Sequence, residues 1–174
     1  MSQRRSEGSG LTQITVNDSV AVMSSPLARL AELGITLPAV VPPLAAYLPA
    51  VRSGSLVFTS GQLPMVDGTL ALTGKVGGAV SAEEAHALAR TCALNGLAAI
   101  DALVGLDAVV RVVKVVGFVA SSPDFTGQPG VVNGASEFLG EVFGSAGSHA
   151  RSAVGVASLP LDAPVEVELV VEVG

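Results

Sequence analysis

The sequence predicts an α+β fold in which two helices pack on one face of a largely antiparallel or mixed β-sheet, with a short additional helix near the N-terminus. Three observations predict it. Ser81-Ala82-Glu83-Glu84 is a capping box that opens an alanine-rich segment running to Gly105. Val109 to Ala120 is crowded with β-branched residues, Val112, Val113, Val115, Val116 and Val119, between turn residues. Val165-Glu166-Val167-Glu168-Leu169 alternates apolar and acidic side chains, the period of a strand with one buried and one polar face.

Residues 1–22 are rich in Ser, Gly and polar side chains and are expected to be a flexible extension, which leaves a single domain over 23–174. Ser25 followed by Pro26 reads as an N-cap with proline at the first helical position; Leu27, Leu30 and Leu33 follow, and Gly34 stops the helix. Pro38, Pro42, Pro43 and Pro49 keep the next segment extended and irregular. Tyr47–Val51 and Leu56–Thr59 are expected to pair as a hairpin around Arg52-Ser53-Gly54-Ser55, and Asp67-Gly68 marks another turn. In the long capped helix Leu88, Cys92, Ala99 and Leu103 supply apolar positions, while Ala85 and Ala89 allow a sheet to approach closely. A second long helix is expected over Val131–Phe143, stopped by Gly144, before closing strands at Ser152–Leu159 and Val165–Val173.

Composition narrows the function classes. Hydrophobic residues make up 49% of the 174 and charged residues only 14%, too few polar side chains to cover a lone subunit, so self-association is expected. The apolar stretches are cut by Arg90, Asn95 and Asp101, or by Arg111 and Lys114, which argues against a membrane span. The first 22 residues lack the apolar core of a secretory signal, and a cytoplasmic location is expected. One cysteine and two distant histidines offer no internal disulfide and no zinc-ligand spacing. A net charge of −6 without a basic run opposes nucleic-acid binding.

Four segments carry a family resemblance: Leu56-Val57-Phe58-Thr59-Ser60-Gly61-Gln62-Leu63-Pro64, Gly117-Phe118-Val119, Ala150-Arg151-Ser152 with Val156-Ala157-Ser158-Leu159-Pro160, and Val165-Glu166-Val167-Glu168. In this order and spacing the sequence resembles the reactive intermediate deaminase (Rid, YjgF-like) family, in a longer subgroup. The resemblance implies a chorismate-mutase-like fold, a homotrimer with sites between subunits, and neither metal nor organic cofactor. It also implies hydrolysis of short-lived enamines and imines of small 2-imino acids to a 2-oxo acid and ammonia.

Arg151 matches the arginine of the family motif, and an arginine fork suits a substrate carboxylate. Glu166 matches the glutamate of the closing strand, where a carboxylate can orient a nucleophilic water. Tyr47, Ser60 and Asn133 fall where related proteins line the substrate cleft. Many deaminases of the family carry cysteine two places after the arginine; Ala153 stands there and excludes thiol chemistry.

Each of these residues also has a structural reading. Arg151 could be an ion-pair partner of Glu166 or Glu168, and both glutamates could be the solvated face of a strand. His149 could border the cleft as a proton carrier or be structural. His86 is expected to be exposed and Cys92 to lie in the core, and Gly74-Lys75-Val76-Gly77-Gly78 lacks the full phosphate-loop spacing and reads as a turn. The competing function is a non-catalytic trimer that binds a small carboxylate. Ribonuclease activity, attached to some family members, is opposed by the acidity, and chorismate-mutase chemistry would share only the fold.

Overall fold

The computed structural model describes residues 24–40 and 46–174. The expected extension over 1–22 and part of the proline-rich arm, 41–45, lie outside the described residues. The elements run α1 (Pro26–Glu32), β1 (Ala50–Ser53), β2 (Leu56–Thr59), β3 (Met65–Val66), β4 (Thr69–Leu70), α2 (Ala82–Val104), β5 (Val109–Ala120), α3 (Gln128–Phe143), β6 (Ala150–Val156) and β7 (Val165–Val173). Five strands form one sheet in the order β1-β2-β7-β5-β6. All neighbours are antiparallel except β5 and β6, which are parallel and joined through α3, as a parallel pair requires a long crossover.

Local chemistry sets the helix boundaries. The Ser81 hydroxyl accepts from the Glu84 N–H at 3.2 Å, and the Glu84 carboxylate accepts from the Ser81 N–H at 2.8 Å. This closes the expected capping box, and Gly105 ends α2 at a φ of 81° that favours glycine. Ser25 caps α1, and Gly34, at φ 70°, terminates it. α3 starts at Gln128, three residues before the expected Val131, because Pro129 is pre-set for a first helical turn and the Gln128 side chain donates to the Phe125 carbonyl at 2.7 Å.

α2 and α3 cover one face of the sheet. The inner residues of β7, Val165, Val167, Leu169, Val171 and Val173, are buried beneath them, with Phe138 and Leu139 of α3 and Leu97 and Ile100 of α2. Small residues make the layer thin: a methyl group on Gly96 of α2 would lie 2.7 Å from the Leu169 side chain. Among the described residues, α2 is the one helix long and apolar enough to cross a membrane by length and composition. In the fold it is the core helix, and the polar residues that interrupt it have protein partners. Arg90 pairs with Glu141 at 2.7 Å, Asn95 donates to the Leu63 and Met65 carbonyls, and Asp101 accepts from the Leu106 N–H.

Four strand ends differ from expectation, two in β1 and two in β6. β1 begins at Ala50 rather than Tyr47, and Arg52-Ser53 belong to the strand, because Gly54 at φ 61° makes the hairpin turn tighter. β6 spans Ala150–Val156 rather than 152–159, which puts Arg151 inside the strand. Asp67-Gly68, with φ 50° and 79°, is a turn as expected, and it joins the two-residue strands β3 and β4, too short to be seen by periodicity.

The sheet face opposite the helices is left uncovered by the described residues. Val51, Phe58 and Val154 are exposed there beside Val116, Phe118 and Val170, and Glu166, Glu168 and Glu172 interleave with them.

Candidate functional site

Strand register decides where each predicted site residue points. Arg151 pairs with Val115 in the parallel β5–β6 ladder, and Val115 is buried under the helices, so Arg151 faces the helix layer at the sheet's edge strand. α3 meets it there. Arg151 Nη1 donates to Asn133 Oδ1 at 2.7 Å and to the Ser136 hydroxyl at 3.1 Å, and Nη2 donates to the Pro129 carbonyl at 3.3 Å. Asn133 and Ser136 lie one turn apart on α3 and so present one face to the arginine. Of the five guanidinium N–H groups, these three bonds leave Nε–H and one Nη2–H without a partner among the described residues. Those two nitrogens share one carbon and form a fork suited to a carboxylate.

Glu166 belongs to a second group. It pairs with Phe118, not with a helix-side residue, and lies half-buried on the uncovered face. Beside it the β2–β7 pairing breaks after Phe58 and resumes as a bridge between Gln62 and Val167. Ser60-Gly61 is carried out of the ladder, and Gly61 packs so closely on the Glu166 carboxylate that a methyl group there would coincide with it. The Ser60 hydroxyl donates to the Leu48 carbonyl at 2.6 Å, which ties this turn to the segment carrying the exposed Tyr47.

The chain therefore brings Arg151 together with Asn133, and Glu166 together with the Ser60-Gly61 turn, but sets the two groups on opposite faces of the sheet. The reading of Arg151 as an ion-pair partner of Glu166 or Glu168 is overturned: its guanidinium is held by neutral oxygens, and among the described residues no carboxylate pairs with it. Clefts of about 330 and 300 Å³ lie elsewhere, lined respectively around Asn95 and around Glu141, and neither includes a predicted site residue. His86 bridges the two helices, its Nδ1 3.0 Å from the Gly130 carbonyl and Nε2 3.4 Å from Glu137. Cys92 is buried in the core, and residues 74–78 form a turn whose Val76 N–H donates to the end of β5. Sequence reasoning missed Ser136; its spacing of three from Asn133 was the available signal.

Burial raises the pKa of the Glu166 carboxyl above the usual carboxylate range, and the neighbouring Glu168 charge on the same face adds to the effect. A carboxyl with a raised folded-state pKa contributes stability that is fully present below its unfolded pKa and is lost as pH rises through the folded value. Glu166→Gln removes that loss. Its thermal midpoint is expected above that of wild type at neutral pH, with the gap closing once the pH falls below about 4. Thermal unfolding of both proteins across this range checks the sign, and equal midpoints at neutral pH would contradict it.

Helices on one face of a five-stranded mixed sheet, with an arginine-centred polar group at its edge, define a chorismate-mutase-like α+β protein. Residues 27–173 match the family model described as "YjgF/chorismate mutase-like, putative endoribonuclease". The chain belongs to this YjgF (Rid) family. It is similar to Protein TCP17 of Trypanosoma cruzi, 46% identical over 156 residues that cover 88% of this chain and 98% of the relative. It is also similar to the crystal structure of a protein of unknown function from Agrobacterium tumefaciens, at 47% identity and a TM-score of 0.78 over 84% of this chain and 91% of that one. E. coli TdcF with bound serine is a more distant likeness, at 26% identity and a TM-score of 0.57 over 80% of this chain and 96% of that one.

Proposed function

We propose that this chain is a subunit of a closed homo-oligomer, a trimer by family resemblance, that hydrolyses small 2-imino acids and their enamine tautomers to 2-oxo acids and ammonia. The site is assembled between subunits, with Arg151 of one facing the Glu166 group of another. Arg151 carries the reading, because its guanidinium is anchored on α3 by three neutral oxygens with an unspent Nε–H/Nη2–H fork. Such a fork takes a carboxylate in two charge-assisted hydrogen bonds. The similarity to TdcF with bound serine, a ligand that bears a carboxylate, supports the same class of ligand. The separation of Arg151 and Glu166 on opposite sheet faces, and the uncovered apolar face beside Glu166, support a site completed by a second copy.

With the substrate carboxylate on Arg151, the imine carbon lies beyond it, towards the other subunit's Glu166. That carboxylate takes a proton from a water whose oxygen adds to the imine carbon, and the C=N electron pair moves to nitrogen, which takes up a proton. Nitrogen draws that proton from solvent. Glu166 then returns its own proton to the amine, and as the C–N bond breaks the hydroxyl oxygen forms the C=O bond and releases its proton to solvent, so that ammonia leaves with a 2-oxo acid behind. The raised Glu166 pKa suits a group that must both accept and return a proton. Tyr47 and Ser60 line the Glu166 side, and Asn133 holds the arginine. Imines of this kind hydrolyse readily in water, so positioning and modest charge stabilisation suffice.

A non-catalytic carboxylate-binding oligomer would use the same arginine. The endoribonuclease in the family description finds little support here, since a net charge of −6 repels a phosphate backbone. The test generates 2-iminopropanoate with an amino-acid oxidase and traps it with semicarbazide. Wild type is expected to reduce the trapped product and Arg151→Ala to leave it unchanged. No acceleration by wild type across several imino acids, with carboxylate binding intact, would replace the enzyme reading by the binding one.

A further inference from the structure

Ser136 sits between two groups that constrain its single proton. Arg151 Nη1 is always a donor, so the Ser136 oxygen accepts from it at 3.1 Å. The Ser136 O–H is then free to donate to His149 Nε2, 2.9 Å away. Nε2 accepts only in a neutral imidazole that carries its proton on Nδ1, and Nδ1 lies 2.5 Å from the Gly147 carbonyl, an acceptor. Each link of the series Arg151, Ser136, His149, Gly147 joins a donor to an acceptor. The three side chains are only partly exposed, and they link α3, the turn before β6 and β6 itself.

We infer that Ser136 and His149 are positioning residues for Arg151: His149, as the Nδ1–H tautomer, turns the Ser136 hydroxyl so that its oxygen faces the guanidinium and the Nε–H/Nη2–H fork is left to the ligand. Arg151 has many rotamers, and its neutral anchors differ in kind. Asn133 and the Pro129 carbonyl accept without help, whereas a hydroxyl rotates and donates or accepts according to its neighbours. His149 removes that freedom. A hydroxyl locked as an acceptor holds Nη1 in place and pre-organises the fork, which lowers the entropy lost when a carboxylate binds. The carboxylate itself rests on the proposed function; the hydrogen-bond order does not.

The test uses pyruvate, the product of 2-iminopropanoate hydrolysis, as the probe in calorimetric titrations of the full chain. Ser136→Ala and His149→Leu are each expected to weaken pyruvate binding about tenfold, the scale of one hydrogen bond to a charged group. The double variant is expected to match the single ones, because both break the same link. His149→Gln, whose amide oxygen can replace Nε2 as acceptor, is expected to stay within about twofold of wild type. In turnover the loss is expected in KM with kcat little changed, the mark of lost ground-state holding. Effects that multiply in the double variant would mean two independent structural losses and would overturn the inference, as would wild-type binding by Ser136→Ala. Long-range 1H–15N spectra of the neutral imidazole provide the independent arm: an Nε2–H tautomer would overturn the inference however Arg151→Ala behaves. Undiminished pyruvate binding by Arg151→Ala, with the Nδ1–H tautomer present, would instead remove the proposed carboxylate site.

Discussion

Arg151→Ala is expected to lower kcat/KM for imine hydrolysis about 100-fold or more. The substrate carboxylate has two donors in the fork, and hydrogen bonds to charged groups contribute about 1.5–3 kcal/mol each. At roughly 1.4 kcal/mol per factor of ten, two such bonds correspond to between about 10² and 10⁴ in rate. Arg151 is only partly buried, and solvent screening favours the lower end. Arg151→Lys keeps the charge and loses the fork, so it is expected to fall between wild type and alanine. The substitution also removes three intrachain bonds to α3, and the thermal midpoint measured alongside separates any loss of fold from loss of site.

The largest expected effect on stability lies at Gly134, next to Asn133 in α3 but turned towards α2. α3 crosses α2 so closely there that a methyl group would overlap the His86 carbonyl, backbone against backbone. Neither helix can yield by changing a rotamer; they must separate and open the packing around Ala89, Ala93 and Phe138. Alanine gains up to about 1 kcal/mol over glycine in helix propensity, whereas forced overpacking of this kind costs about 3 kcal/mol or more. The clash wins. Gly134→Ala is expected to lower the thermal midpoint by roughly 5–10 °C, and unfolding monitored by circular dichroism checks it. An unchanged midpoint would mean that the helix crossing is looser than the close approach at His86 requires.

The sequence made some elements plain and others not, for physical reasons. α2 was legible because its capping box and terminal glycine are local signals, and β7 because alternation survives wherever one sheet face is buried and the other is not. β6 was misplaced by two to three residues at each end because Ala150-Arg151-Ser152-Ala153-Val154-Gly155-Val156 is an edge strand with no alternation to read. β3 and β4 are too short to carry a period at all. The prominence of Arg151 and Glu166 came from family motifs, since an arginine before a mixed stretch and a glutamate in an alternating strand have ordinary structural explanations. What sequence could not reveal is contact across distance. Ser136 and His149 are 13 residues apart and meet only because the α3–β6 connection folds back. The placement of Arg151 and Glu166 on opposite faces is set by the register of β5 with both its neighbours.

A site that needs Arg151 from one subunit and Glu166 from the next is tested most directly by subunit complementation. Arg151→Ala and Glu166→Gln chains, each inactive alone in imine hydrolysis, are unfolded, mixed in equal amounts and refolded together. In a closed ring with random assembly about a quarter of the interfaces pair an intact arginine with an intact glutamate, so activity is expected to return to about a quarter of the wild-type level. Mixed oligomers of wild-type size that stay as inactive as their parents would contradict a site shared between subunits.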